Sequence, residues 1–185
     1  MISVGYLAKS VVQHPDRLKA PAVKDIYSVS SHISANFMDY IPFWRHNGYW
    51  LFDTPQVIQE LAVENNVSLE DLIFFYYEAH EQEFDEEIKQ WLDFEPEAFP
   101  THVIPPTQWE FHGYDVVTFS VGTSPECSPL SCNHLASEIG TNSHCLFGSF
   151  ETAKESLEVG KFDHCEPGPF RIFAVYTVDP DNWHG

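Results

Sequence analysis

The chain has 185 residues, of which 43% are hydrophobic and 28 are aromatic, so it is long enough to bury a substantial core. Nine lysine and arginine residues stand against 28 aspartate and glutamate residues. The net charge of -19 argues against binding to nucleic-acid phosphates or to an anionic membrane surface, and it favours a basic protein partner. Because no signal peptide is evident in the first residues and no apolar run reaches the ~18 residues of a membrane helix, we expect a cytoplasmic protein with reduced cysteines.

The first third of the chain is rich in aromatic residues and in turn signals. Residues 26–30 read as a short strand, and a block of aromatic side chains follows over residues 37–52. Core packing accounts for this block, although it also has the composition of a pocket for a planar ligand. Thr54 followed by Pro55 then predicts a helix over residues 55–65, with Thr54 as its cap.

The segment over residues 72–84 is open to two interpretations. Its length and the acidic residues before it are typical of a helix, whereas the run Ile-Phe-Phe-Tyr-Tyr near its start has the composition of a strand. We predict one long strand over these residues.

An acidic stretch overlaps the end of this predicted strand. Residues 78–97 contain nine carboxylates and a single lysine, Lys89. Such a run is usually a solvated face, and it is also a natural place for a basic protein partner to bind. The carboxylates that we predict to bind this partner are Glu81, Glu83, Asp85, Glu86 and Glu87.

The segment over residues 95–107 contains four prolines, too many for a regular helix or strand. We expect one domain over residues 1–185, with this segment as its candidate boundary between lobes. No internal repeat is apparent in the sequence.

The residues after this segment predict an alternation of strands and helices. Strands and capped helices are expected, in chain order, over residues 114–121, 129–139, 145–147, 150–159 and 171–178. This β-α-β-α-β order, added to the first third, predicts an α+β fold with a mixed or antiparallel sheet and about three helices. A turn before the last strand places Gly168 where a positive φ is expected.

All four cysteines and three of the ten histidines lie between Cys127 and Cys165. Thiols and imidazoles ligate soft metals and act as nucleophiles or proton carriers, so this stretch is where candidate chemistry is concentrated. If a helix begins after Ser128, Cys127 and Cys132 occupy positions that commonly touch across a helix start. The same helix would place His134 on the far side from Cys132, away from that thiol.

Two kinds of chemical site follow from this cluster. A thiol-dependent enzyme would combine a cysteine nucleophile with a histidine brought close by folding. Its candidate catalytic residues are Cys132, His144 and His164. A zinc site would draw on the four thiols, although their spacing is looser than the tight pairs of structural zinc. Its candidate ligands are Cys127, Cys132, Cys145 and Cys165.

Cysteines packed in a core as small hydrophobic residues explain the same pattern without any chemistry. We therefore predict first an acidic binding or regulatory module that engages a basic protein partner, because no complete catalytic motif is present. The alternative is a thiol-dependent enzyme or a zinc-binding protein centred on Cys132. The sequence does not predict an oligomeric state.

Overall fold

The computed structural model describes residues 1–13, 16–30, 37, 46–95, 101–119 and 127–182. The strands in these residues are β1 (Ile2–Lys9), β2 (Val12–Gln13), β3 (Asp25–Ile26), β4 (Ile73–Asp85), β5 (Gln90–Asp93), β6 (Glu110–Thr118) and β7 (Phe170–Val178). The α-helices are α1 (Pro55–Asn65), α2 (Pro129–Cys132) and α3 (Phe150–Glu158). None of the helices in this described part of the chain has the length and apolar character of a membrane span.

Five of the strands form one antiparallel sheet. β1, β4, β7 and β6 lie side by side in that order, and β5 pairs with the far end of β4. β2 and β3 form a separate small ladder. The predicted α+β class, with an antiparallel sheet and three helices in one domain, is confirmed. The predicted lobe boundary over residues 95–107 stays a prediction, and residues 96–100 lie outside the described part of the chain.

The predicted helix over residues 55–65 is confirmed at both ends. Thr54 Oγ1 accepts a hydrogen bond from the backbone N–H of Val57 at 3.4 Å, and Pro55 occupies the first turn. Asn66 ends the helix in the left-handed conformation, with a φ of 55°. Short-range signals therefore suffice to define α1.

The predicted long strand over residues 72–84 is also confirmed, as β4. Four consecutive aromatic residues, from Phe74 to Tyr77, are buried in it. β4 pairs with β1 on one side and with β7 on the other, and both faces of the sheet are covered at this point. A strand covered on both faces carries a continuous apolar run, which explains its likeness to a buried helix in the sequence.

The predicted helix over residues 129–139 is wrong in its length. α2 ends at Cys132, and His134 takes the left-handed conformation with a φ of 61° before a short 3-10 turn. His134 is therefore not fixed on the far side of one helix from Cys132. Ser128 precedes α2 as predicted, but its hydroxyl donates to Asp115 at 2.6 Å and caps no helical N–H.

Two further local predictions differ from the structure. Of the strand expected over residues 145–147, a single β-bridge is present, between Phe147 and Tyr114. Gly168 does not take a positive φ, and the turn before β7 instead contains a cis peptide bond from Gly168 to Pro169. The other expected elements are present with shifted ends, as β3, β6, α3 and β7.

The sheet contains an internal repeat that sequence inspection missed. Gly5 of β1 lies opposite Tyr77 of β4, and Gly113 of β6 lies opposite Val175 of β7, each just after a bulge in its pairing. Each of the remaining residue pairs between β1 and β4 has a counterpart between β6 and β7, at the same offset from the glycine. Tyr77 also lies opposite Val175 where β4 pairs with β7. An approximate twofold axis through that pair therefore exchanges β1 with β6 and β4 with β7.

The connections between these strands repeat as well. Asn47 donates its side-chain N–H to a backbone carbonyl of β1 at 3.0 Å and accepts from the backbone N–H groups two and four residues further on. Asn142 makes the same three bonds, to β6 and to its own loop. α1 follows the first of these loops and α3 the second. We call β1, α1 and β4 the first repeat, and β6, α3 and β7 the second repeat.

Gly5 and Gly113 show why each loop crosses its strand so closely. Their φ angles are 137° and 142°, in the region that favours glycine. A Cβ atom on Gly5 would lie 2.7 Å from the carbonyl oxygen of Phe52, and one on Gly113 would lie 2.6 Å from that of Phe147. Both repeats therefore need a residue without a side chain at this crossing.

Candidate functional site

Cys127 and Cys132 lie together at the start of α2. Cys127 is buried, its carbonyl accepts from the backbone N–H of Thr118 at 2.8 Å, and its thiol donates to Asn133 Oδ1 at 3.5 Å. A hydrogen bond with the thiol of Cys132, together with burial, raises the pKa of Cys127. Cys127 is therefore a protonated thiol at neutral pH, next to a half-buried second thiol.

Of the other two cysteines, Cys145 lies close enough to Cys132 for the two groups to interact electrostatically, whereas glutamates are the charged neighbours of Cys165. Cys145 is buried in the core beside α3, and burial raises its pKa. Cys165 is half-buried, and burial and nearby glutamates raise its pKa to about 11. Among the described residues, which include all four cysteines, no three His, Cys, Asp or Glu side chains are arranged to hold a metal ion. The structure thus does not bring together the predicted zinc ligands Cys127, Cys132, Cys145 and Cys165.

The two histidines predicted to assist Cys132 lie in other surroundings. His144 stacks on Tyr27 with 4.3 Å between ring centroids, and its Nδ1 lies 3.8 Å from a carboxylate oxygen of Asp25. His164 is exposed. Within the described residues, neither imidazole has a hydrogen bond to a thiol, so Cys132, His144 and His164 do not form one hydrogen-bonded group.

The carboxylates predicted to bind a partner lie in and beside the hairpin of β4 and β5. Two of them have internal partners: Asp85 Oδ1 accepts from the backbone N–H of Glu87 at 2.9 Å, and Glu86 Oε1 accepts from a backbone N–H of the turn before β7 at 2.7 Å. Glu83 is half-buried, and burial raises its pKa. Glu81 and Glu87 are exposed, so these two are the carboxylates that the hairpin offers most openly.

β5 is held against α3 by Trp91. The indole Nε1 donates to Glu158 Oε1 at 2.9 Å, and the ammonium group of Lys154 lies 5.5 Å from the ring centroid. The indole ring also contacts the rings of His80 and Phe84, at centroid distances of 5.3 and 5.2 Å from its own. A tryptophan between a cation, a carboxylate and two rings thus fills the space between α3 and the far part of β4.

A second acidic feature is an open cleft at the end of β7, which we call the acidic cleft. It consists of two adjoining cavities of about 530 and 380 Å³ that share Val178 and Asp179. Apolar residues, Leu72 and Val178 among them, are part of the lining of the larger cavity. No basic residue is present among the described residues that line either cavity. The carboxylates of the cleft are those of Glu70, Glu110, Asp179 and Asp181.

Exposed aromatic rings stand beside the smaller cavity. The side chain of Trp109 is 55% exposed and that of Phe111 is 45% exposed. Trp109 lines the cavity and meets Tyr176 edge to face, with 6.3 Å between ring centroids. Aromatic faces next to carboxylates attract organic cations, because the ring face carries negative potential.

A third feature is a set of buried ionisable side chains on one face of the sheet. The Nζ atom of Lys9 and the hydroxyl of Tyr77 are buried with no hydrogen-bond partner among the described residues. Burial lowers the pKa of Lys9 to about 7, and the nearby carboxylate of Asp115 acts in the opposite direction. Burial raises the pKa of Asp115 to about 6, although Ser128 and the backbone N–H of Val29 donate to it.

The buried side chain of Arg171 belongs to the same set, and each member of the set has an apolar equivalent in the other repeat. The strand registers relate Lys9 to Val117, Tyr77 to Val175, Asp115 to Leu7 and Arg171 to Ile73. Aliphatic side chains thus fit at equivalent positions of the same sheet, so the fold itself does not require ionisable groups there.

Comparison of the chain with family models, curated proteins and solved structures found no match. The buried ionisable groups and Cys127 lie inside the core, whereas the acidic cleft combines space, charge and exposed aromatic rings. Sequence inspection missed this cleft because its carboxylates come from three separated segments, none of them within the acidic stretch of residues 78–97.

Proposed function

We propose that the chain is an acidic binding or regulatory module that engages a basic protein partner through the acidic cleft. One observation carries this proposal: two adjoining open cavities present four carboxylates and, among their described lining residues, no basic side chain. The net charge of -19 draws a basic partner towards the molecule, and the cleft determines where it binds.

The placement of the basic residues supports this proposal. Lys9 and Arg171, two of the nine basic residues, are buried. Lys89 lies 2.6 Å from Asp163, and Lys154 lies 3.9 Å from a carboxylate oxygen of α3. None of these four residues lines the cleft.

The hairpin carboxylates are a second acidic surface for the same function. Glu81 and Glu87 are its exposed members, while Asp85 and Glu86 already accept backbone hydrogen bonds. A partner bound there would meet two exposed carboxylates of this set and no described cavity. The cleft has three exposed carboxylates besides Asp179, which accepts from the backbone N–H of Asp181 at 3.0 Å.

A calorimetric titration with a blocked peptide of alternating arginine and serine distinguishes the two surfaces. One variant carries Glu70→Lys and Glu110→Lys in the cleft, and its matched control carries Glu81→Lys and Glu87→Lys on the hairpin. Both variants change the net charge equally, so general electrostatic attraction falls equally in both. We expect the cleft variant to bind about tenfold more weakly than the hairpin variant.

The reverse order of affinities would move the binding surface to the hairpin. Equal losses in the two variants, or no binding by the parent protein, would contradict binding at the cleft. The free state of all four cysteines supports a cytoplasmic location for the module, since thiols stay reduced there.

A thiol-dependent enzyme or zinc protein centred on Cys132 is the second candidate, and the contact between Cys127 and Cys132 supports it. The raised pKa of Cys127 leaves Cys132 as the thiol to test. Iodoacetamide labelling between pH 5 and pH 9, with metal analysis of chelator-free protein, checks both forms. Labelling of Cys132 well above the rate of the unfolded chain, or bound zinc, would support this candidate. The absence of both results would remove it.

A further inference from the structure

The twofold repeat supplies an internal counterpart for the acidic cleft. The cleft lies between α1 of the first repeat and the end of β7, so its equivalent lies between α3 and the far part of β4. The fifth residue of α1 is Gln59, which lines the cleft, and the fifth residue of α3 is Lys154. Val178, also in the cleft, is the counterpart of His80. Val178 directly follows Thr177 of β7, and His80 directly follows Ala79, which is the residue of β4 equivalent to Thr177.

In the second repeat this equivalent position is occupied. Lys154 and His80 are both in contact with Trp91 of β5, at 5.5 and 5.3 Å from the ring centroid. The chain itself therefore shows which side chain fits between such a helix and such a strand end: a large aromatic ring with polar groups at its edge. In the first repeat the same space is the open cavity of about 530 Å³.

The residues around the cavity show how its occupant differs from Trp91. Glu158, which accepts the indole hydrogen bond, has Val63 as its counterpart on α1, and this valine is 83% exposed. Lys154, the cation beside the ring, has the neutral Gln59 as its counterpart. Val63 is not among the residues that line the larger cavity, so a ring there would have neither the carboxylate nor the cation that Trp91 has on α3. Apolar side chains such as Leu69 and Leu72 line the cavity instead, together with carboxylates.

We propose that the acidic cleft binds a segment of the basic partner in which one aromatic side chain is flanked by arginine or lysine residues. The aromatic ring enters the larger cavity at the position equivalent to that of Trp91. The flanking cations pair with the carboxylates around the cleft, including Glu70, Asp181 and Glu110. This inference rests on the proposed function and adds the chemistry of the bound segment.

Two blocked peptides test it, Arg-Ser-Trp-Ser-Arg and Arg-Ser-Ala-Ser-Arg, which have the same charge and differ in the ring. We expect the tryptophan peptide to bind about tenfold more tightly in a calorimetric titration, because the ring buries apolar surface that alanine lacks. Leu72→Ser, in the lining of the larger cavity, should remove this difference and leave the alanine peptide unchanged. The matched control is Leu92→Ser, at an exposed leucine of β5, which should preserve the difference.

Failure of the inference and failure of the proposed function give different results. Equal affinities for the two peptides, both lowered by Glu70→Lys with Glu110→Lys, would overturn the aromatic specificity and keep the basic partner. Affinities insensitive to those two substitutions would overturn the proposed function as well.

Other occupants of the cleft also have distinct signatures. Self-association in sedimentation velocity that the same two substitutions abolish would assign the cleft to a second copy of the chain. Tighter binding of both peptides after removal of residues 183–185 would assign it to the end of the chain itself. Either result would contradict the proposed partner segment.

Discussion

The two repeats share one backbone plan and differ in what lies between the helix and the strand end. In the second repeat, β5 covers this position, and Trp91 is in contact with α3. In the first repeat, the corresponding position is open and lined by carboxylates. Because register, bulges and loop anchors agree, this difference is not a consequence of a different fold. The comparison therefore distinguishes the residues that both repeats need for their fold from residues such as Trp91, which have no counterpart in the other repeat.

The same comparison applies to the interior. Gly5 with Gly113 and Asn47 with Asn142 are retained in both repeats and perform the same task in each. Lys9, by contrast, has an aliphatic counterpart. Shared residues should therefore be costly to replace in either repeat, whereas residues present in one repeat should be replaceable without loss of the fold.

The largest expected effect is at the two crossing glycines. Gly5→Ala and Gly113→Ala each place a Cβ in contact with a carbonyl oxygen and force an alanine to a φ near 140°. We expect each substitution to lower the free energy of unfolding by about 2–5 kcal/mol, measured by urea denaturation. Gly140→Ala is the control, because no atom lies within 4 Å of its Cβ position. A cost at only one of the two crossings would contradict the equivalence of the repeats.

Replacement of Lys9 should raise the free energy of unfolding and so stabilise the protein. Lys9→Met removes a buried amine that has no hydrogen-bond partner among the described residues, and Asp115 keeps its hydrogen bonds from Ser128 and Val29. Because an unsatisfied buried polar group is costly, we expect the substitution to raise the free energy of unfolding by about 1–3 kcal/mol at pH 7. The pKa of Lys9 is about 7 in the folded chain and near 10.5 when unfolded, so between these values only the unfolded chain holds the proton. The wild-type free energy of unfolding therefore rises with pH in this window, and the advantage of the variant shrinks.

Urea denaturation of both proteins at intervals from pH 7 to pH 10 measures that convergence. Lys24→Met, at an exposed lysine, is the control and should run parallel to the wild type. A constant difference between Lys9→Met and the wild type over this range would show that Lys9 is charged in the folded state.

The loop asparagines give a smaller test of the same comparison. Asn47→Ala and Asn142→Ala each remove three hydrogen bonds to backbone groups. We expect each to cost about 1–3 kcal/mol of unfolding free energy, with similar values in the two repeats. Asn133→Ala serves as the reference, since its amide oxygen accepts only from a thiol in the contacts described here. A cost for Asn47 or Asn142 no greater than for this reference would argue against the anchoring role.

The elements that sequence inspection found are those with local signals. Thr54, Pro55 and the left-handed Asn66 define α1 within a dozen residues, and the buried aromatic run defines β4. α2 was predicted too long because the apolar residues keep their helical spacing beyond His134. Nothing in that spacing indicates that His134 takes the left-handed conformation and ends the helix. The class of the fold followed from counting such elements, whereas the order of strands in the sheet depends on long-range pairing.

The repeat and the cleft were missed for related reasons. The two repeats have few identical residues. More residues separate Gly5 from Asn47 than separate Gly113 from Asn142, so no fixed sequence spacing reveals the repeat. The carboxylates of the cleft meet only when the end of β7 lies beside α1 and the loop before β4. The acidic stretch was visible in the sequence, but the backbone N–H groups that engage Asp85 and Glu86 were not.

Nuclear magnetic resonance can show, residue by residue, whether the peptide binds at the open position of the first repeat. On titration of the labelled protein with Arg-Ser-Trp-Ser-Arg, we expect the largest amide shift changes in residues 69, 70, 72–74, 108–110, 177–179 and 181, which line the acidic cleft. Amides of the equivalent site around Trp91 should change little, because that position is already filled. Changes centred on residues 81–93 instead, or no localised changes at saturating peptide, would contradict the claim that the open position of the first repeat is the binding site.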